Sequence, residues 1–215
     1  NSHLGGNAII RNCNGLYAGA IVADSHDTSC SLLIDGNAKI LNCTGSQEGT
    51  AAYVYSGAIM TGHPLTITDN AEISGCTGYA GAISATSSLM EVGAPLAVTI
   101  GGNARIIDNH GIQGGGIHIG DAHLILQGNA QIANNTATEG GGGVAMKNQV
   151  VIDLDDLWSD PSSIIYGAPP SQLTITGGRI EGNKAPVGGG ICAYGGHWVE
   201  DWFESIFFES ADQDT

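Results

Sequence analysis

The sequence predicts an all-β fold, a right-handed parallel β-helix (solenoid) of about six coils. Three observations predict it: an imperfect repeat through most of the chain, alternation of apolar and polar residues within each copy, and 34 glycines beside only 13% charged residues. A surface so poor in charge must be built from Asn, Thr, Ser and Gly, which suits flat sheets with tight corners better than helices.

The repeat reads L-x-I-x-G-N-A-x-I-x-x-N, then a variable stretch, then a closing G-[AG]-[IV]. Its clearest copies run from Leu32 to Cys43, Leu65 to Cys76, Val98 to Asn109 and Leu124 to Asn135. A partial copy opens the chain around Gly6-Asn7-Ala8, and a last one, shortened by one residue, runs from Leu173 to Asn183. The anchoring position holds Asn7, Asn37, Asn70, Asn103, Asn129 and Gly178, at spacings of 30, 33, 33, 26 and 49 residues. The closing motifs are Gly19-Ala20-Ile21, Gly57-Ala58-Ile59, Gly81-Ala82-Ile83, Gly115-Gly116-Ile117, Gly142-Gly143-Val144 and Gly189-Gly190-Ile191.

Within a copy, Leu65 and Ile67 alternate with Thr66 and Thr68, as Leu173 and Ile175 do with Thr174 and Thr176. That is the period of a strand with one buried face. Three such pieces per repeat, turned at Gly and Asn corners, describe a triangular coil. Each coil buries its Leu, Ile and Ala only against neighbouring coils, so the stack is the unit of stability.

Three residues after the inward Ile stand Cys13, Cys43, Cys76, Asn109, Asn135 and Asn183. An inward Asn ladder here is expected to hydrogen-bond to corner backbone and to itself, with Cys as a small, weakly polar substitute. A disulfide between neighbouring Cys13, Cys43 and Cys76 is allowed at one coil spacing, but five cysteines leave one unpaired.

The net charge of −15 is unevenly placed, ten of the 21 acids falling within 153–160 and 200–214. With six Lys plus Arg and no basic face, nucleic acid is not an expected partner. No apolar run is long enough to span a membrane. The chain has neither a signal peptide nor an initiator Met, and it reads as part of a longer, processed protein.

Two segments interrupt the repeat. The solenoid is expected over 1–196 with an inserted loop at 153–172, which carries Asp153, Asp155, Asp156, Trp158 and Tyr166. Trp158 and Tyr166 are candidate stacking residues for a sugar ring, with the three aspartates beside them as ligand-binding residues. The carboxylates offer oxygen ligands to calcium, but their spacing fits no calcium loop. A solvated acidic loop is the expected state, and no other cofactor is expected. From 197 to 215 an amphipathic helix and acidic tail are predicted. Trp198, Trp202 and Ile206 form one stripe, flanked by Val199, Phe203 and Phe207, which would cap the open end of the solenoid or dock on a partner.

No residues converge on a catalytic constellation. The basic residues are scattered in sequence, and Lys39, Glu72, Arg105 and Gln131 share one repeat position as an outward ladder of alternating charge. His110, His118 and His123 fall on different parts of a coil, where exposed turns are expected rather than a metal site. Outward threonines at 66, 99 and 174 are interrupted by Leu33 and Ile125, which breaks any flat Thr array.

Ile106 to Asn109 and Ile132 to Asn135 give I-x-x-N, while Gly114 to Ile117 and Gly188 to Ile191 give G-G-G-I. This pattern resembles the paired G-G-A-I and F-x-x-N repeats of chlamydial polymorphic membrane proteins, and related adhesin-like β-helix repeats of other microbes, over roughly residues 4–193. Two departures stand out: Ile replaces the aromatic in every copy, and Cys replaces Asn in the first three. The resemblance implies a pectin lyase-like fold in an extracellular or cell-surface setting. It also implies a structural or adhesive, non-enzymatic module for a glycan or protein partner, or for other copies of itself or flanking modules. The alternatives from other classes are a carbohydrate-active β-helix lyase or hydrolase and a self-assembling filament subunit.

Overall fold

A computed structural model describes residues 1–23, 30–47, 54–86, 96–147 and 171–194. Every regular element among them is a strand, and all pairing is parallel. Three six-stranded sheets run the length of the stack. The first contains β1 (Ser2–Leu4), β4 (Leu32–Ile34), β7 (Leu65–Ile67), β10 (Leu96–Ile100), β14 (Ala122–Leu126) and β18 (Gln172–Ile175). The second contains β2 (Ile9–Arg11), β5 (Lys39–Leu41), β8 (Glu72–Ser74), β11 (Arg105–Ile107), β15 (Gln131–Ala133) and β19 (Arg179–Glu181). The third contains β3 (Ile21–Ala23), β6 (Ile59–Thr61), β9 (Ile83–Thr86), β13 (Ile117–Gly120), β17 (Val144–Lys147) and β20 (Ile191–Tyr194). This is a parallel β-helix solenoid of six coils, each about 4.8 Å from the next.

The coil is not the simple triangle that three strand-like pieces suggest. Between the second and third sheets the chain makes a short fourth side. It consists of bridges Asn14–Thr44–Thr77–His110 and Thr136–Lys184, and of the pair β12 (His110–Gln113) and β16 (Thr136–Gly140). The residues between the inward ladder and the closing motif carry too few apolar side chains to mark them as strand. Even so, their backbones pair coil to coil, because a buried N–H must find a carbonyl.

Each inward row is one residue type stacked on itself. Ile40, Ile73, Ile106 and Ile132 lie in register on the second sheet and are fully buried. Ala38, Ala71, Ala104 and Ala130 fill the corner before them, and Ile59, Ile83, Ile117 and Val144 face them from the third sheet. Burying one such Ile contributes roughly 1.5–3 kcal/mol, so the rows hold the coils together.

The corners follow from backbone sterics. Gly6, Gly36, Asp69, Gly102 and Gly128 take φ of 56–66° at the corner between the first and second sheets. Asp69 is the non-glycine of that set, and its carboxylate compensates by accepting the Gly36 N–H of the coil before it at 3.1 Å. At the next corner Asn12, Asn42, Asp108 and Asn134 are also left-handed, a conformation that Asn and Asp tolerate best among residues with a β-carbon.

Just past that corner lies the expected ladder. Asn109 Nδ2 donates to Asn135 Oδ1 at 3.0 Å, and Asn135 Nδ2 donates to Asn183 Oδ1 at 3.0 Å. Each Oδ1 also accepts a backbone N–H from the preceding coil, and each Nδ2 also donates to that coil's inward Ile carbonyl. Cys43 and Cys76 are buried in the same row, where Cys43 N–H donates to Cys76 Sγ at 3.4 Å. All five cysteines are free thiols, which closes the disulfide alternative in this structure.

A second ladder runs along the outside. The anchoring asparagines, read in sequence only as corner residues, chain together from Asn129 to Asn103, Asn70, Asn37 and Asn7, each Nδ2 donating to the next Oδ1 at 3.0–3.2 Å. It stops at Asn129 because the shortened sixth corner carries Gly177-Gly178 instead.

Between the third sheet and the first, the connections 24–31, 87–95 and 148–171 are long, whereas β13 and β14 are joined there by Asp121 alone. The expected insertion at 153–172 belongs to this corner, and its last residue, Gln172, is the first residue of β18. Residues 153–170 of that insertion, and the helix and tail expected at 197–215, lie outside the described residues.

Candidate binding surface

The ladder residues Cys13, Cys43, Cys76, Asn109, Asn135 and Asn183 point into the solenoid, so their role is to hold coils in register. Burial pushes the Cys76 thiol up to about 12, against the lowering effect of the Cys43 N–H that donates to its sulfur, and burial likewise raises Cys43. Neither thiol is a ready nucleophile.

The outer faces differ in what they offer. The first sheet presents His3, Leu33, Thr66, Thr99, Ile125 and Thr174 in register, so the threonine row is interrupted as expected. The second sheet gathers what the sequence scatters: Arg11, Lys39, Arg105 and Arg179, four of the six basic residues, stand on it with Glu72 and Glu181. The predicted charge ladder holds Lys39, Glu72, Arg105 and Gln131 in register, and Arg105 reaches Glu72 at 3.3 Å.

The third sheet is different again. Ser84, His118 and Ala145 alternate with its core row, yet each is essentially buried, so the sheet offers no free face at these coils. His118 corrects the expectation of exposed turn histidines: it sits mid-strand at 1% exposure, and neither ring nitrogen has a hydrogen-bond partner. Burial, and secondarily the charge of Lys147, push its pKa down to about 3. His63 is also buried, whereas His110 and His123 stand on the short side and the first sheet, bonded to Thr136 and Thr174. Among the described residues no three His, Cys, Asp or Glu side chains come together as a metal site.

The short side carries the surface with the most mixed chemistry. Tyr17, Tyr55 and Tyr79 stack in successive coils at its junction with the third sheet. Their register is held by Ser56 N–H to Tyr17 O at 3.0 Å, Ala80 N–H to Tyr55 O at 2.8 Å and Ile112 N–H to Tyr79 O at 2.7 Å. The Tyr17 and Tyr55 rings meet edge to face, with centroids 5.4 Å apart and planes at 76°. Tyr17 is 49% exposed and Leu16 beside it 63%. Farther along, Gln113 Nε2 donates to Glu139 Oε2 at 2.8 Å. Burial and then the Glu139 charge raise the Tyr79 phenol, and burial with a hydrogen bond to Cys192 raises Tyr194 to about 12. These phenols stay protonated at neutral pH and keep an O–H to donate.

Sequence reasoning passed over these tyrosines, although a signal was there: Tyr17-Ala18-Gly19, Tyr55-Ser56-Gly57 and Tyr79-Ala80-Gly81 place a Tyr two residues before the closing glycine in each of the first three copies. The candidates Asp153, Asp155, Asp156, Trp158 and Tyr166, and the stripe Trp198, Val199, Trp202, Phe203, Ile206 and Phe207, lie outside the described residues. No helix among the described residues is long and apolar enough to cross a membrane. No family model, curated protein or solved structure matches the chain.

Proposed function

We propose that this chain is a structural or adhesive module of a microbial cell-surface or secreted protein, whose rigid solenoid displays its outer faces to a glycan or protein partner. One observation carries the reading: the inward rows and both Asn ladders are fully occupied with holding coils together. The chemistry left over is spread along extended outer faces. The likeness of its tetrads to adhesin-like repeats supports the same setting. Contact would be made by shape and by aromatic and polar side chains on one long face. The test is adhesion of beads coated with the purified chain to cells and extracellular matrix. Binding above that of beads coated with an unrelated acidic protein is expected, and its absence on every surface tried overturns the reading.

A second reading, a filament subunit, draws on the sixth coil, where the inward Ile175 and Ile191 are 50% and 39% exposed. Sedimentation of the intact chain tests it: multimers that grow with concentration favour assembly, and a constant monomer removes it.

A further inference from the structure

We infer that the tyrosine corner of the short side is a saccharide-binding edge, and that its ligand is an uncharged polysaccharide lying along the rod. The inference rests on the reading of the chain as a display module and assigns that module a site.

The Tyr17 and Tyr55 rings pack edge to face at 76°, so Tyr55 props the Tyr17 ring, which stands 49% exposed at the surface. An aromatic face packs well against the apolar C–H face of a pyranose, while the phenolic O–H reaches a ring hydroxyl. The row continues to Tyr79 and then to the Gln113–Glu139 pair. An amide and a carboxylate are planar groups suited to the hydroxyls of a sugar. Their spacing is that of the coils, about 4.8 Å, comparable to the length of one pyranose unit. A polymer with its own short repeat can therefore meet one side chain per unit.

Other occupants fit less well. A peptide adding as a strand needs a free edge, but among the described residues of this side the backbone pairs coil to coil. An anionic chain is disfavoured, since Glu139 is the charged member among Tyr17, Tyr55, Tyr79, Gln113 and Glu139, and the whole chain carries −15.

The experiment is binding of the full chain to an oligosaccharide array holding neutral gluco-, manno- and galacto-oligomers beside uronate oligomers. It is repeated with Tyr17→Ala/Tyr55→Ala and with Thr66→Ala/Thr99→Ala as a control on another face. Neutral oligomers are expected to bind, and the tyrosine variant to weaken them at least about tenfold with its circular dichroism unchanged. The threonine variant should stay close to the parent, and Tyr17→Phe, which keeps the ring and loses the O–H, should fall between the parent and Tyr17→Ala. Should the double variant not fold, Tyr17→Ala alone, at a half-exposed ring, reads the same loss. Binding to uronates only, to no oligosaccharide, or undiminished in the tyrosine variants overturns the inference. Cell adhesion of coated beads separates this failure from that of the proposed function. Adhesion that survives periodate oxidation of the cell glycans means a protein partner and sinks the saccharide alone, whereas beads that never adhere sink the display module itself.

Discussion

A β-carbon added at Gly81 would run into the carbonyl of Gly115 in the next coil, and the same collision repeats at Gly19, Gly57, Gly115 and Gly142. The first glycine of the first five closing motifs is therefore required by the approach of one backbone to another, whatever its φ. Gly81→Ala is expected to destabilise by about 1–3 kcal/mol or more, measured by chemical denaturation. The middle residue of the motif tells a related story. Coils with Cys13, Cys43 and Cys76 in the ladder have Ala20, Ala58 and Ala82 there, while coils with Asn109, Asn135 and Asn183 have Gly116, Gly143 and Gly190. A β-carbon at Gly143 would stand 2.9 Å from Asn183 Nδ2, so the larger amide takes the space of a missing methyl. Ala82 nonetheless accommodates Asn109 in the coil after it, which makes this contact tight but not forbidden. Cys76→Asn should accordingly fold and extend the ladder, raising stability by about 1 kcal/mol. His118 makes the pH prediction. Its unfolded pKa is near 6.5 and its folded one about 3, so between these values the unfolded chain binds the extra proton. Stability is then complete above pH 6.5 and falls as pH drops toward 3, by about 1.4 kcal/mol per unit at the steepest. His118→Leu should flatten that slope in urea titrations at pH 7.5 and 5.

The strands are short, most of them three or four residues, and none would persist alone. What stabilises them is the row each one joins. Ile106 packs between Ile73 and Ile132 with no exposure, and Ile106→Ala should cost about 2–5 kcal/mol. The exposed Arg105–Glu72 pair on the same strands is a useful contrast, since Arg105→Gln should change stability by less than about 1 kcal/mol. If both substitutions cost the same, the row is not the stabilising unit. The Asn ladder is the polar counterpart of the Ile row. Asn135→Ala would leave the Asn109 N–H without its acceptor and Asn109 Nδ2 with the Ile73 carbonyl alone, a loss of about 1–3 kcal/mol for the buried N–H.

At the scale of the molecule, coils are interchangeable wherever the corner sequence is kept. Asn103 and Asn129 hold the same position one coil apart, each followed by Ala. Removing residues 104–129 therefore joins one corner to the next and deletes a single coil in register. The shortened chain is expected to keep a β-type circular dichroism spectrum and cooperative unfolding, with a lower midpoint because one layer of burial is gone. An aggregated or unstructured product would show that these coils are not equivalent units.

The repeat, its inward Leu, Ile and Ala rows, the corners and the inner Asn ladder were all legible in the chain. Each is a local pattern repeated in phase, and stacking turns such a pattern directly into a column of contacts. The short fourth side was not legible, because Gly45, Gly78 and Gly111 with their neighbours pair through backbone groups that carry no residue signature. Lys39 and Arg105 were legible as members of one outward ladder, but the addition of Arg11 and Arg179 to the same sheet was not, since the first copy is partial and the last is shortened. The outer ladder from Asn7 to Asn129 and the burial of His118 depend on what lies one coil away or outside a sheet, which no single copy encodes. Periodicity along the chain determined the architecture, while contacts across coils, tens of residues apart in sequence and about 4.8 Å apart in space, decided the surface.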